Sequence, residues 1–267
     1  MTRAAALARS CHPGPTVAVT SIAVLLGVSA NLSGRLLFLV GATVLVGQLS
    51  IGWSNDWLDA ERDAAAERAD KPTTTGSIAP TTLRTAALCS LVLSLPLSLL
   101  AGVSGAWHLL LVGSGWAYNV RLKMTAWSPM PYAVGFAALP AYVLSVAGAE
   151  SQWWLPASGG LLGMSAHFAN AAPDVVEDRA AGVWGLPQRI GARGSLAIAL
   201  VLLGSVGALL LTQATLSGPG LALGCLVVSL PLVVGSVLVV RGRIGRPAFT
   251  MVMVAALADV ALLVIAA

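Results

Sequence analysis

The feature that most constrains this chain is a succession of apolar runs, each about 20 residues long, joined by short polar segments. A run of that length suits a helix crossing a hydrocarbon core of about 30 Å. Of 267 residues, 57% are hydrophobic and 10% charged. A soluble domain carries about 25% charged residues, so the chain reads as an integral membrane protein. Nine spans are expected, at about 14–32, 36–57, 81–101, 105–120, 129–148, 153–176, 194–213, 219–240 and 247–266. The fold class expected is therefore all-α, a polytopic bundle of nine transmembrane helices. Residues 1–267 read as one domain, with no separate soluble part. Arg3 and Arg9 before the first run imitate a signal peptide, but the run is long enough to span and is read as a retained first helix.

Charge placement supports the count. With the N-terminus in the cytoplasm, the cytoplasmic segments hold Arg3, Arg9, Arg62, Arg68, Lys71, Arg84, Arg121, Lys123, Arg179, Arg189, Arg193, Arg241, Arg243 and Arg246. That is 14 of the 15 Lys and Arg residues, with Arg35 outside, as the positive-inside rule requires. An eight-span or ten-span reading loses the alternation. The expected location is the plasma membrane, with the active-site loops cytoplasmic. The net charge of +4 is spread over these loops, which excludes a nucleic-acid patch. Cys11, Cys89 and Cys225 show no pairing or metal spacing and read as small apolar fillers.

Against this background the acidic residues are concentrated. Nine of the 11 lie in segments 56–70 and 174–178. Carboxylates cost about 2.5–3.5 kcal/mol each near a bilayer centre and less toward its edge, so such clusters are retained where they bind something. Asn55, Asp59 and Asp63 are spaced i, i+4, i+8 and share one helical face, with Asp56 beside them. Asn170, Asp174 and Asp178 repeat that spacing on the sixth span. Each stripe alone is a repulsive stack. Mg²⁺ reverses the sign, because it takes a few carboxylates together with phosphate oxygens and water. The plain alternative is a solvated helix end, with the carboxylates paired to Arg62, Arg68 and Arg179.

Basic residues in the neighbouring loops complete a diphosphate site. Arg68 and Lys71 follow the first cluster in the long polar stretch 58–80, and Arg121 and Lys123 follow Tyr118. Arg68, Lys71 and Lys123 are the strongest of these. Pro173 removes a backbone donor just before Asp174 and is expected to kink the helix. Gly159, Gly160 and Gly163 point to close helix packing. Trp53, Trp57, Trp116, Tyr118, Tyr132 and Tyr142 are placed near the pocket, where aromatic faces stabilise cations by about 0.5–2 kcal/mol. His167 reads as a packed, hydrogen-bonded histidine, and Asp259 stands alone in the last span.

These residues resemble a known family. Asn55-Asp56-x-x-Asp59-x-x-x-Asp63 resembles the first aspartate-rich motif of the UbiA superfamily of intramembrane prenyltransferases. Asp174-x-x-x-Asp178 resembles the second. Asp70-Lys71-Pro72 up to Gly76 is similar to the family's loop after helix 2, and Tyr118 to Lys123 to its loop after helix 4. The resemblance implies a helical bundle around a central cavity open to lipid, a prenyl diphosphate donor and a lipophilic, aromatic acceptor. It implies Mg²⁺ held by Asp56, Asp59, Asp63, Asp174 and Asp178 with help from Asn55, the diphosphate held by Arg68, Lys71 and Lys123, and Tyr118, Arg121 and Asn170 lining the substrate side. Lys71 departs from the Arg of many members. The first span carries no charged residue to grip an acceptor carboxylate, and Arg9 and His12 before it are weak stand-ins. Two other readings compete. A membrane terpene cyclase uses the same ionisation with the chain's own alkenes as nucleophiles. A divalent-metal transporter would place its ions nearer the midplane.

Overall fold

The protein was analysed as a computed structural model that describes residues 2–150, 152–213 and 218–266. The described residues fold into eleven α-helices and contain no strand. In chain order these are α1 (Arg3–Ser10), α2 (Pro13–Ser29), α3 (Gly34–Ala65), α4 (Pro80–Leu100), α5 (Gly105–Val120), α6 (Met130–Val146), α7 (Trp154–Ala171), α8 (Val175–Ala180), α9 (Leu186–Gln213), α10 (Gly218–Val240) and α11 (Arg246–Ala266). Five of them are long and apolar enough to cross a membrane: α3, α4, α9, α10 and α11. The bent pair α1 and α2 makes a sixth if it forms one span. Their outward faces carry large apolar side chains such as Phe38, Val92, Leu99 and Val201, each more than half exposed. A water-soluble surface does not tolerate such a density of apolar side chains, and lipid does.

Two compact units share the chain. The first comprises Met1–Leu122 and Ala141–Glu150, the second Lys123–Pro140 and Ser151–Ala267. In the first, α3 packs against α2, α4 and α5. In the second, α9 packs against α7, α10 and α11.

Local chemistry sets the breaks. The chain turns by 61° between α1 and α2. Pro13 has no N–H to continue α1, and it pushes the preceding residue out of the right-handed helical region. His12 takes a left-handed conformation, φ 54° and ψ 68°. The bend rests directly on α3, where a side chain at Gly52 would collide with the Cys11 carbonyl. Helix α1 has no counterpart among the nine expected spans. Its Ala6 is fully buried with Ile78 and Leu83, against Trp53 and Trp57.

Helix α3 has 32 residues, about 48 Å at 1.5 Å per residue, and so outruns a bilayer core. Its apolar part was expected to end near residue 57. The helix continues through 58–65, because Leu58, Ala60, Glu61 and Arg62 are all good helix formers and Arg62 pairs with Asp59 one turn back. In the second unit, Gly159 and Gly163 bring α7 close to α6, as the glycine spacing suggested. A side-chain atom at Gly163 would lie 2.5 Å from the Tyr132 carbonyl.

Candidate active site

Helix α3 carries the first acidic cluster on its polar end. Asp56 is 2% exposed, and its Oδ1 receives two donors, Lys71 Nζ at 2.7 Å and His12 Nε2 at 2.8 Å. Lys71 comes from the loop after α3 and His12 from the bend before α2, so one carboxylate oxygen ties three separate segments together. Asp59 Oδ1 accepts from Arg62 Nη2 at 2.8 Å. Asp63 is buried, and its Oδ2 has no hydrogen-bond partner among the described residues. Such an atom costs about 1–3 kcal/mol unless something occupies its lone pairs.

Asn55 faces α5. Its Nδ2 donates to Asn119 Oδ1 at 3.0 Å, and Asn119 Nδ2 donates in turn to the Ile51 carbonyl and to Ser54 Oγ, both at 2.8 Å. Nearly one turn earlier on α5, Trp116 Nε1 donates to Ser50 Oγ at 2.8 Å. Trp116 meets Trp57 edge-on at 6.5 Å, and the Arg84 guanidinium lies 5.6 Å over the Trp57 ring. Tyr118 is half-buried on the same helix end, and Arg121 caps it, exposed. Arg68 lies in the loop after α3. It grips Asp70 with Nε at 3.0 Å and Nη2 at 3.2 Å, and that guanidinium holds the Asp70 carboxyl below its ordinary value.

The second cluster is built differently from expectation. Helix α7 stops at Ala171 and α8 begins at Val175. Pro173 supplies no N–H for the next helical bond, and its ring clashes with the carbonyl four residues back. Asn170, Asp174 and Asp178 therefore do not form one continuous helical stripe. Asn170 is exposed on the last turn of α7. Asp174 is exposed at the N-cap of α8, and its carbonyl accepts the Asp178 N–H at 2.8 Å, which keeps those two aspartates one turn apart. Asp178 Oδ2 accepts from Gln188 Nε2 at 2.7 Å, while Arg179 Nε donates to the Gln188 carbonyl at 2.6 Å. Lys123 is only 6% exposed, in a 3₁₀ turn over Leu122–Met124. His167 is packed as expected. Its Nε2 lies 3.0 Å from Ser128 Oγ and its ring 4.7 Å from Tyr132. Of the pairings in the solvated-end alternative, Arg62 with Asp59 and Arg68 with Asp70 form as ion pairs.

Asn119 and Gln188 were missed as site residues, and His12 was weighed only as a grip for an acceptor carboxylate, not as a partner of Asp56. His12 had a readable signal, because the run His12-Pro13-Gly14-Pro15 marks a break just before an apolar span. Asn119 and Gln188 had none, since their partners are set by packing.

The first cluster fits a divalent cation in part. Its donors are carboxylate oxygens, and one buried oxygen is unsatisfied. Among the described residues, however, no group of three or more His, Cys, Asp or Glu side chains is close enough to hold a metal by itself. Such a donor set is short of a full coordination sphere, which phosphate oxygens and water would have to complete around Mg²⁺. It does not fit a closed structural cage.

The family model described as UbiA prenyltransferase family matches residues 16–258. The chain belongs to this family of prenyltransferases. No curated protein matches the chain by sequence. Among solved structures, the fold is similar to a UbiA homologue from Archaeoglobus fulgidus bound to GPP and Mg²⁺, with TM-score 0.72 and 17% identity, covering 98% of this chain and 100% of that one. The same homologue bound to DMAPP and Mg²⁺ gives TM-score 0.74 and 17% identity over 97% of this chain and 98% of that one. An apo UbiA homologue from Aeropyrum pernix K1 gives 0.70 and 16% over 93% and 96%. At these identities the structural likeness is one of fold. This UbiA family member is thus an all-helical membrane protein whose acidic motifs lie at helix ends.

Proposed function

We propose that this UbiA family member transfers an isoprenyl group from a prenyl diphosphate to a lipophilic, aromatic acceptor within the membrane, with Mg²⁺, releasing diphosphate. The observation that carries the reading is the row Asp56, Asp59 and Asp63 at the polar end of α3, in a chain whose family model covers residues 16–258. Support for the metal and the donor comes from the solved homologue, which binds GPP or DMAPP together with Mg²⁺.

In this reading Asp56, Asp59, Asp63, Asp174 and Asp178 hold Mg²⁺. When bound, the metal neutralises charge on the departing diphosphate. Lys71 and Arg68 come from the loop after α3, and with Arg121 and Lys123 they supply positive charge to the same headgroup. Asn55 keeps α3 in register with α5 through Asn119. The allylic C–O bond breaks, its electron pair leaves with the diphosphate, and the acceptor's electrons form the new bond while its proton is lost. Trp57, Trp116 and Tyr118 offer π faces to the positive charge that develops on the prenyl carbon. The reading includes nine spans in one catalytic domain, with both acidic motifs and the N-terminus on the cytoplasmic side of the plasma membrane.

The test is to incubate purified protein in detergent with Mg²⁺, a panel of prenyl diphosphates and phenolic acceptors, and to follow diphosphate release and prenylated product by mass spectrometry. Acceptor-dependent product supports transfer. A hydrocarbon formed from geranylgeranyl diphosphate alone overturns transfer in favour of cyclisation. Metal uptake into sealed proteoliposomes without diphosphate turnover overturns both.

A further inference from the structure

We propose that Gln188 is a positioning residue for Asp178, a role that rests on Asp178 being a metal-holding carboxylate. Gln188 is 5% exposed and lies in the first turn of α9. Three residues on, Gly191 takes φ 83° and ψ 168°, and α9 bends there. The side-chain Nε2 donates to Asp178 Oδ2 at 2.7 Å, and the backbone carbonyl accepts from Arg179 Nε at 2.6 Å. One residue thus holds two consecutive residues of α8. That helix has six residues, too few to be stable by itself, so its direction is imposed by contacts of this kind.

The amide occupies space that Gly185 leaves open by having no side chain. A side-chain atom at Gly185 would lie 2.7 Å from Gln188 Oε1, 2.7 Å from the Lys123 carbonyl and 2.9 Å from Ser128 Oγ. Ser128 is itself fixed, because its Oγ accepts the Leu186 N–H at 3.0 Å and meets His167 Nε2 at 3.0 Å. The nitrogen end of the amide is aimed at Asp178. A neutral amide orients a carboxylate without cancelling its charge, which is what a metal ligand needs. Groups that orient metal ligands in this way are typically worth about 10–100-fold in metal affinity.

Mn²⁺ binding to the purified full chain, followed by electron paramagnetic resonance in the presence of inorganic pyrophosphate, tests this. Gln188→Met should weaken Mn²⁺ binding about tenfold. Gln188→Asn keeps the amide but falls one methylene short, so it should weaken binding in the same direction; it also serves if the methionine variant does not fold. In an Asp178→Asn background, Gln188→Met should add nothing. Unchanged affinity in the Gln188 variants, or a further loss on top of Asp178→Asn, overturns the positioning role. If Asp178→Asn itself binds Mn²⁺ like the wild type, the reading of Asp178 as a metal ligand fails instead.

Discussion

Asp59 and Asn119 show two different kinds of dependence. In the proposed function Asp59 meets the charge of the diphosphate through Mg²⁺, and its contact with Arg62 is a half-buried ion pair of modest worth. Asp59→Asn should therefore leave thermal unfolding nearly unchanged and cut Mg²⁺-dependent diphosphate release by at least about 100-fold. Turnover near the wild-type rate in the purified variant would remove Asp59 from the chemistry. Asn119 is the reverse case. It is buried and makes three side-chain hydrogen bonds that join α5 to α3. Asn119→Ala should lower stability by about 1–3 kcal/mol, because the amide of Asn55 loses its acceptor inside the unit. Thermal unfolding in detergent measures it, and an unshifted midpoint would mean the clamp carries no strength.

Among the elements, the bend between α1 and α2 has the most consequence for the site. It places His12 on Asp56, and it does so only because Gly52 lets the Cys11 carbonyl approach α3. Gly52→Val should push the bend away and destabilise the fold by about 1–3 kcal/mol, the usual range for overpacking. A melting midpoint equal to that of the wild type would show that the bend relaxes freely. The break between α7 and α8 is the other element that matters. Periodicity reads straight through 170–178, since Asn170, Asp174 and Asp178 keep helical spacing, but Pro173 ends the hydrogen-bond ladder between them. A pattern of side chains does not reveal that the backbone carrying it has stopped being a helix.

For the whole molecule, metal dependence and sidedness are the useful observables. Chelation with EDTA should abolish prenyl transfer and added Mg²⁺ should restore it, with rate and product measured together. Full activity in excess chelator would exclude a metal-held diphosphate. The charge distribution predicts that a cysteine placed at Glu67 is labelled by an impermeant thiol reagent from the cytoplasmic side and one at Glu150 from the other, in a background lacking Cys11, Cys89 and Cys225. Labelling of both from one side would overturn the nine-span topology.

From the sequence alone came the membrane class, the helical architecture, the family and the two acidic motifs. Each rests on short-range regularity: 20 apolar residues in a row, a four-residue spacing, a proline at a fixed place. What tertiary structure decided is which groups those carboxylates meet. His12 is 44 residues from Asp56, Asn119 is 64 from Asn55, and Gln188 reaches Asp178 only because α9 folds back on α8. Such pairings depend on how helices pack, and packing is set by the summed burial of many side chains rather than by any motif along the chain.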